Sequence, residues 1–357
     1  MLVTKGLDIG GIERIVVELA IALGRRGVQV EVAVVNDRRD QLVEVLTDAG
    51  VVLHRLGGSD RIGLAAARRL AGLVADPRFH VVHVHGPLPA VLARVVPGRR
   101  PVITTSHTPF GALRRPTRVA WRLTAALDAA TIAVSAVVSA SMPPRAVARA
   151  VVIPHGVDGA AIERALAGVT PPSSDRAADV HVTAITVASH RHAKNYPNLL
   201  RAVKVARDLG VPLRLLALGT GPDLEHHRAL AAQLGLAEVV TFVAPTREVL
   251  GVMAAADLLV VASDYEGQPL VVLEALALGL PVVATAVGRV PELVSPAVGR
   301  VVAPGDAQAL GAALAEVAGD AALRARMRAA AGHAGHAWTL DDVVDAHLAL
   351  YTSVSGR

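Results

Sequence analysis

Two glutamates, Glu266 and Glu274, stand eight residues apart in a setting that makes both of them chemically interesting. Glu274 falls among Val271, Val272, Leu273, Ala275 and Leu276, in what the pattern predicts to be the second turn of a helix. A carboxylate there needs hydrogen-bond partners, because burying it bare is costly. Glu266 precedes that helix in a polar loop, beside N–H groups that have no helical acceptor and favour negative charge. Such a pair suits binding of sugar hydroxyls and phosphate at a helix mouth. The plain alternative is a solvated loop acid and a satisfied core acid. Two carboxylates at close range also raise the acid and nucleophile pair of a retaining glycosidase.

Other residues join them. Ser189-His-Arg191-His-Ala-Lys194 supplies two cations directly after the apolar run His181–Ala188. His107 follows Val102-Ile-Thr-Thr105, at the end of a strand where open α/β sheets bind ligands, and is the best placed of the 14 histidines. His83 and His85 alternate along another strand and read as packing or wall residues. Gly10-Gly11 lies between a short strand, Leu2–Thr4, and an amphipathic stretch from about Ile12 to Arg26, an arrangement that brings backbone close to a phosphate. It is not the dinucleotide G-x-G-x-x-G, and Gly219-Thr-Gly221 lacks a third glycine at Leu224.

The elements that position these residues alternate along the chain. Asp257–Ser263 reads as a buried parallel strand, being short, continuous and rich in Leu and Val. Pro269 suits a first helical residue, Gly279 ends the helix, and Pro281-Val-Val-Ala-Thr285 returns as a strand. The same strand–loop–helix rhythm runs through Val28–Val35, Val51–Leu56, Val102–Thr105, Thr131–Ser135, Val151–Pro154, Pro212–Leu218 and Val239–Val243. Val169 to Asp179 has linker composition, and Trp338 opens a last helix. At 357 residues two domains are expected.

Composition narrows the function. With no cysteine there is neither disulfide nor thiolate chemistry. Aromatics make up 2% of the chain and no basic stripe is interleaved with stacking residues, which argues against nucleic acid. Net charge is uneven: residues 1–160 carry 20 Lys and Arg against 12 Asp and Glu, the remainder 16 against 19. A basic first half suggests an anionic partner, either a phosphorylated acceptor or an anionic membrane surface; an arginine-rich composition is the plain alternative. Arg114, Arg115, Arg118 and Arg122 with Trp121 form its most basic stretch. The start Met1-Leu-Val-Thr-Lys-Gly has no cleavable signal pattern, and the apolar window Pro269–Gly288 holds Glu274, Gly279 and Pro281, which rejects a span. The expected place is the cytoplasm, with peripheral membrane contact left open.

Ser263, Glu266, Gly267, then Glu274-Ala and Gly279-x-Pro-Val-Val-Ala-Thr285 resemble the E-x7-E signature of retaining GT-B glycosyltransferases, in particular family 4 and its relatives. Gly10-Gly11 and the strand-end element Pro154-His-Gly-Val-Asp158 resemble the same family, so the likeness covers nearly the whole chain. It implies an α/β fold of two doubly wound Rossmann-like domains facing across a cleft. Residues 1–170 would be the acceptor-side domain and 171–336 the nucleotide-sugar domain, with 337–357 a helix packing back on the first. The implied activity is that of a hexosyltransferase: transfer of a sugar from a UDP-sugar or GDP-sugar to an acceptor hydroxyl on a glycan, lipid or small metabolite, with retention.

The resemblance also assigns roles. Glu274 would hold ribose, Lys194 the diphosphate, and Glu266 with the backbone of Gly267, Gln268, Pro269 and Leu270 the donor sugar. His107 would meet the sugar, and Gly10-Gly11 would approach donor phosphates or acceptor. In the family an arginine precedes the lysine by about five residues; Ser189 stands there, and Arg191 is the nearest substitute. The likeness speaks against the glycosidase pair. No Asp-x-Asp site appears, so no metal and no cofactor are expected. A nucleotide-sugar epimerase or hydrolase of the same fold, or a degenerate nucleotide-sugar-binding protein, are the alternatives.

Overall fold

The computed structural model describes residues 1–38, 40–59, 62–168, 181–334 and 339–356. The expected linker, Trp338 and both expected domain boundaries fall outside the described residues. By contacts the chain divides into two units, Met1–Gly156 with Leu340–Arg357, and Val157–Thr339.

The first unit is built on seven strands: β1 (Leu2–Thr4), β2 (Glu31–Asn36), β3 (Val52–Gly58), β4 (Val82–His85), β5 (Val102–Ser106), β6 (Ala130–Ala133) and β7 (Ala150–Val152). They run in the order β3-β2-β1-β4-β5-β6-β7, every pair parallel. Parallel strands need crossovers, and these place apolar helices on both faces. Hence Val32 and Val34 pack with the helix Gly11–Arg25, while Ala33 and Val35 pack on the opposite face with the helix Leu64–Ala75. The helix Leu340–Ser355 lies against Gly11–Arg25, where Arg26 pairs with Asp341 at 3.0 Å and Asp345 at 2.9 Å.

The second unit repeats the plan with β8 (Val182–Val187), β9 (Leu213–Leu218), β10 (Val240–Val243), β11 (Leu258–Val261), β12 (Val282–Thr285) and β13 (Gly299–Val302), in the parallel order β10-β9-β8-β11-β12-β13. Leu213, Leu215 and Ala217 enter one core with helices Tyr196–Asp208 and Ala307–Gly319. The helix Gly159–Ala167, capped by Asp158 accepting from Ala160 N at 3.0 Å, packs on helices Val249–Ala254 and Leu270–Ala277 and so belongs to this unit. In each sheet the strand order reverses once, between β1 and β4 and between β8 and β11. Ligands bind doubly wound sheets at that switch, beyond the carboxyl ends of the strands.

Candidate functional site

At the switch of the second sheet, three loops that follow β8, β11 and β12 are tied into one structure. Lys194 donates through Nζ to Glu266 Oε1, which also accepts from Ser263 Oγ at 2.9 Å. Asn195 takes the left-handed conformation, φ 43°, at the start of helix Tyr196–Asp208. Its Oδ1 accepts from Asn198 N at 3.1 Å and its Nδ2 donates to Asp264 Oδ1 at 2.6 Å. Asp264 N in turn donates to Ala193 O at 2.9 Å. On the far side Thr285 Oγ1 donates to Ser263 O at 2.6 Å, and Arg289 N to Gly267 O at 3.2 Å.

Close backbone approach completes the frame. Gly288, φ +52°, lies so near Glu266 and Gly267 that a Cβ would meet Gly267 O at 2.3 Å. A Cβ on Gly219 would meet Ala188 O at 2.1 Å, and one on Gly221 would meet His190 O at 2.3 Å. The β8 loop is therefore clamped from beneath by the loop after β9. His190 stacks on Tyr196 with ring centroids 3.9 Å apart and shares a 2.9 Å hydrogen bond with His227. Loss of water around the His190 ring lowers its pKa to about 4, so it is neutral in that pair.

The helix Leu270–Ala277 begins one residue after its expected first position: Pro269 is the extended residue before it, and Gly279, φ +73°, closes it. Every residue of that helix but Val271 is buried, Glu274 among them at 4% exposure. Gly267, Gln268, Pro269 and Leu270 are buried at its mouth. Lys194 and Glu266 are partly exposed, and Arg191 is exposed. An ammonium has three donors, so Lys194 can keep Glu266 and still offer N–H to an oxyanion. This group of residues thus combines a cation, a carboxylate, a helix N-terminus and a buried acid beyond the carboxyl ends of β8 and β11.

The remaining predicted residues sit in the first unit. Gly10 is the extended residue before helix Gly11–Arg25, and the Glu13 carboxylate folds back over it, 2.5 Å from where a Cβ would be. His107 follows β5 and lines a cavity with Glu18, Thr105, His85, His155 and His347. Its Nε2 shares a 3.1 Å hydrogen bond with His85 Nδ1, while its buried Nδ1 has no partner among the described residues. Burial, with a smaller contribution from His347, drops the His107 pKa to about 4. His83 is a packing residue between Thr105 and Tyr351, both at 2.6 Å, and His85 forms cavity wall. Among the described residues no three His, Asp or Glu side chains are placed to hold a metal ion.

Sequence reasoning gave no role to Asn195, Asp264 or Arg289, and saw Thr285 only as the end of a motif. Their partners lie on other strands, 69 residues away for the Asn195–Asp264 bond. A left-handed asparagine before Tyr-Pro is the one local cue, since Asn tolerates that conformation and caps helices.

Comparison with known proteins agrees with this plan. Residues 9–160 match the family model for glycosyltransferase family 4, and residues 176–333 that for glycosyl transferases group 1. A GDP-mannose-dependent alpha-(1-6)-phosphatidylinositol monomannoside mannosyltransferase of Mycolicibacterium smegmatis is 35% identical over 159 residues, 42% of this chain and 41% of that protein. A D-inositol 3-phosphate glycosyltransferase of Streptomyces griseus is 36% identical over 167 residues, 43% of this chain and 35% of that protein. The chain thus spans about two fifths or less of the length of the curated relatives it matches. Among solved structures, Anabaena HepE in complex with UDP and glucose superposes with a TM-score of 0.84 at 18% identity, covering 99% of both chains, a likeness of fold. With two parallel-sheet α/β units and both family models matched, this chain belongs to the family 4 type, group 1, of the GT-B glycosyltransferases.

Proposed function

We propose that this protein transfers a sugar from a nucleoside-diphosphate sugar to an acceptor hydroxyl, with retention at the anomeric carbon and without a metal ion. The observation that carries the reading is the Lys194–Glu266 pair before the N-terminus of helix Leu270–Ala277, at the switch of the second sheet. In this reading the bond between the anomeric carbon and the diphosphate oxygen breaks while the acceptor oxygen bonds to that carbon from the same face and passes its proton to the departing diphosphate oxygen. Charge grows on the leaving diphosphate, where the Lys194 ammonium, Arg191 and the helix N-terminus stabilise it. Glu266 and the backbone from Gly267 to Leu270 hold the sugar, and Glu274 the ribose. His107, neutral at pH 7, serves the sugar as a hydrogen-bonding group. Gly10-Gly11 approaches phosphate or acceptor, with open space at Gly11 and the Glu13 carboxylate lying over Gly10.

A named relative uses GDP-mannose and a structural neighbour was solved with UDP and glucose, which supports a GDP- or UDP-linked donor. The test is turnover of UDP-glucose and GDP-mannose, with and without a panel of methyl glycosides and phosphorylated polyols. Acceptor-dependent release of nucleoside diphosphate, with the donor's anomeric configuration kept in the product by NMR, is expected. An inverted product would overturn retention. Equal release without acceptor would make it a hydrolase, an isomerised sugar an epimerase, and binding without turnover a degenerate binder.

A further inference from the structure

From Ser189 to Asn195, the loop that carries Arg191 and Lys194, one residue is buried, His190. It is 0% exposed, and its backbone is built into the loop after β9: His190 N donates to Thr220 O at 3.0 Å and Asp223 N to His190 O at 3.2 Å. The far end of the loop is closed by the buried Tyr196, whose hydroxyl donates to Ala188 O at 2.9 Å. The Tyr196 ring stacks on two imidazoles, 3.9 Å from His190 and 4.8 Å from His227 on the helix Leu224–Gln233. The loop with the cations is thus tied into the second unit through one side chain and the ring it pairs with.

That pairing has a strict proton requirement. It joins Nδ1 to Nδ1 at 2.9 Å, so one nitrogen must carry a proton and the other a lone pair. His190 Nε2 is buried and has no partner among the described residues. An orphan N–H is costlier to bury than a lone pair, which puts the His190 proton on Nδ1, donated to His227 Nδ1. A second proton on the pair would set two N–H groups against each other. Burial lowers the pKa of both imidazoles, to about 4 for His190. His227 and Arg228 lower that of His190 further, His226 that of His227, and Asp223 opposes in each case. Phe242, the other ring against His190, carries no charge.

We propose that the His190–His227 pair positions the cation-bearing loop, and that it holds only while the two rings share a single proton, so that acid frees the loop. This rests on reading that loop as the diphosphate site, and makes both imidazoles positioning residues that touch no substrate.

The test compares the wild type with H227F, which leaves His190 Nδ1 unpaired, and with H190F/H227F, which replaces both partners by rings of similar shape that cannot titrate. Hydrogen exchange of the donor-free full chain is read over Ala188–Tyr196 at pH 7.5 and pH 5.0, as protection factors. A histidine at 6.5 in the open loop and at about 4 in the closed one makes opening about 30-fold easier at the lower pH. Wild-type protection should fall by about that factor. H227F should lose roughly tenfold already at pH 7.5, whereas the double variant should regain most of that loss and stay level down to pH 5.0, because removing both polar partners together leaves none unpaired. Calorimetric titration of UDP and GDP at pH 5.0 should then give tighter binding to the double variant than to the wild type; protonation of the nucleotide affects both alike. Wild-type protection in H227F at pH 7.5, a double variant as weak as H227F, or one that follows the wild type into acid overturns the proposal, as do equal nucleotide affinities at pH 5.0. If H227F does not fold, the wild type against the double variant decides. Binding of neither nucleotide to the wild type at pH 7.5 refutes the donor site instead, and the exchange result still decides whether the pair holds the loop.

Discussion

Gly288→Ala isolates the contribution of the β11 loop. At φ +52° an alanine costs about 1–2 kcal/mol in the left-handed region. Its Cβ would also lie 2.3 Å from Gly267 O and 2.6 Å from Glu266 O, where contacts under 3.0 Å are essentially never seen. Both neighbours are backbone, so neither can rotate aside, and the Glu266–Gly267 segment has to retreat by at least about 0.7 Å, the shortfall to that limit. A misplacement near 1 Å costs on the order of 10²-fold in rate when the group positions a reacting substrate. Gly305→Ala is the matched control: φ is +78° there, but nothing lies within 4 Å of the added Cβ. Release of nucleoside diphosphate from UDP-glucose or GDP-mannose, and the thermal midpoint, should be read for both. Each variant should lose a few degrees, roughly 2–4 °C per kcal/mol in a unit of this size. Gly288→Ala alone should lose about 100-fold in kcat/KM. Equal kcat/KM in the two variants would refute the role given to this loop.

Three further outcomes follow from side chains elsewhere. Arg94→Met should destabilise by about 3–5 kcal/mol in urea melts, because Asp128, bonded to Arg94 at 2.7 and 2.6 Å and fully buried, would keep its carboxyl without its partner; R94M/D128L should regain most of that loss. Stability should fall as pH drops below 6.5, since His107 and His347 titrate near 4 in the fold and at 6.5 unfolded, so the unfolded chain binds more protons between those values. At pH 5 each contributes a loss of about 2 kcal/mol relative to pH 8, a sum that thermal melts across pH resolve. Ser189→Arg should tighten nucleoside-diphosphate binding by calorimetry if the family's arginine is lost here in function as well as in sequence; unchanged affinity would mean that Arg191 already serves.

Much of the fold is legible in the residues because parallel strands buried on both faces leave continuous apolar runs. Asp257–Ser263 and Val102–Thr105 show it, and the strands there are Leu258–Val261 and Val102–Ser106. Short helices were harder to see: Pro87–Arg94 opens with Gly-Pro, which reads locally as a turn, yet proline suits a first helical turn and Gly86, φ +136°, supplies the reversal before it. In the site, Lys194, Glu266 and Glu274 stand out as charges beside apolar runs. The bonds that fix them do not, because Asn195, Ser263, Thr285 and Gly288 act across neighbouring strands, and sequence order does not show which strands adjoin. The Arg94–Asp128 pair was hidden for the same reason: both residues look like ordinary surface charges until β5 and β6 bring Thr104 and Thr131 around them.

The most direct test of the account is a calorimetric titration of UDP-glucose and GDP-mannose into the full chain without added metal, repeated with Lys194→Ala and Glu274→Ala. The account predicts that one donor binds with a clear preference for its base. Each substitution should then weaken that donor by roughly 10- to 100-fold, as expected for losing a hydrogen bond to a charged group. Binding of neither donor, or wild-type affinity in both variants, would contradict it.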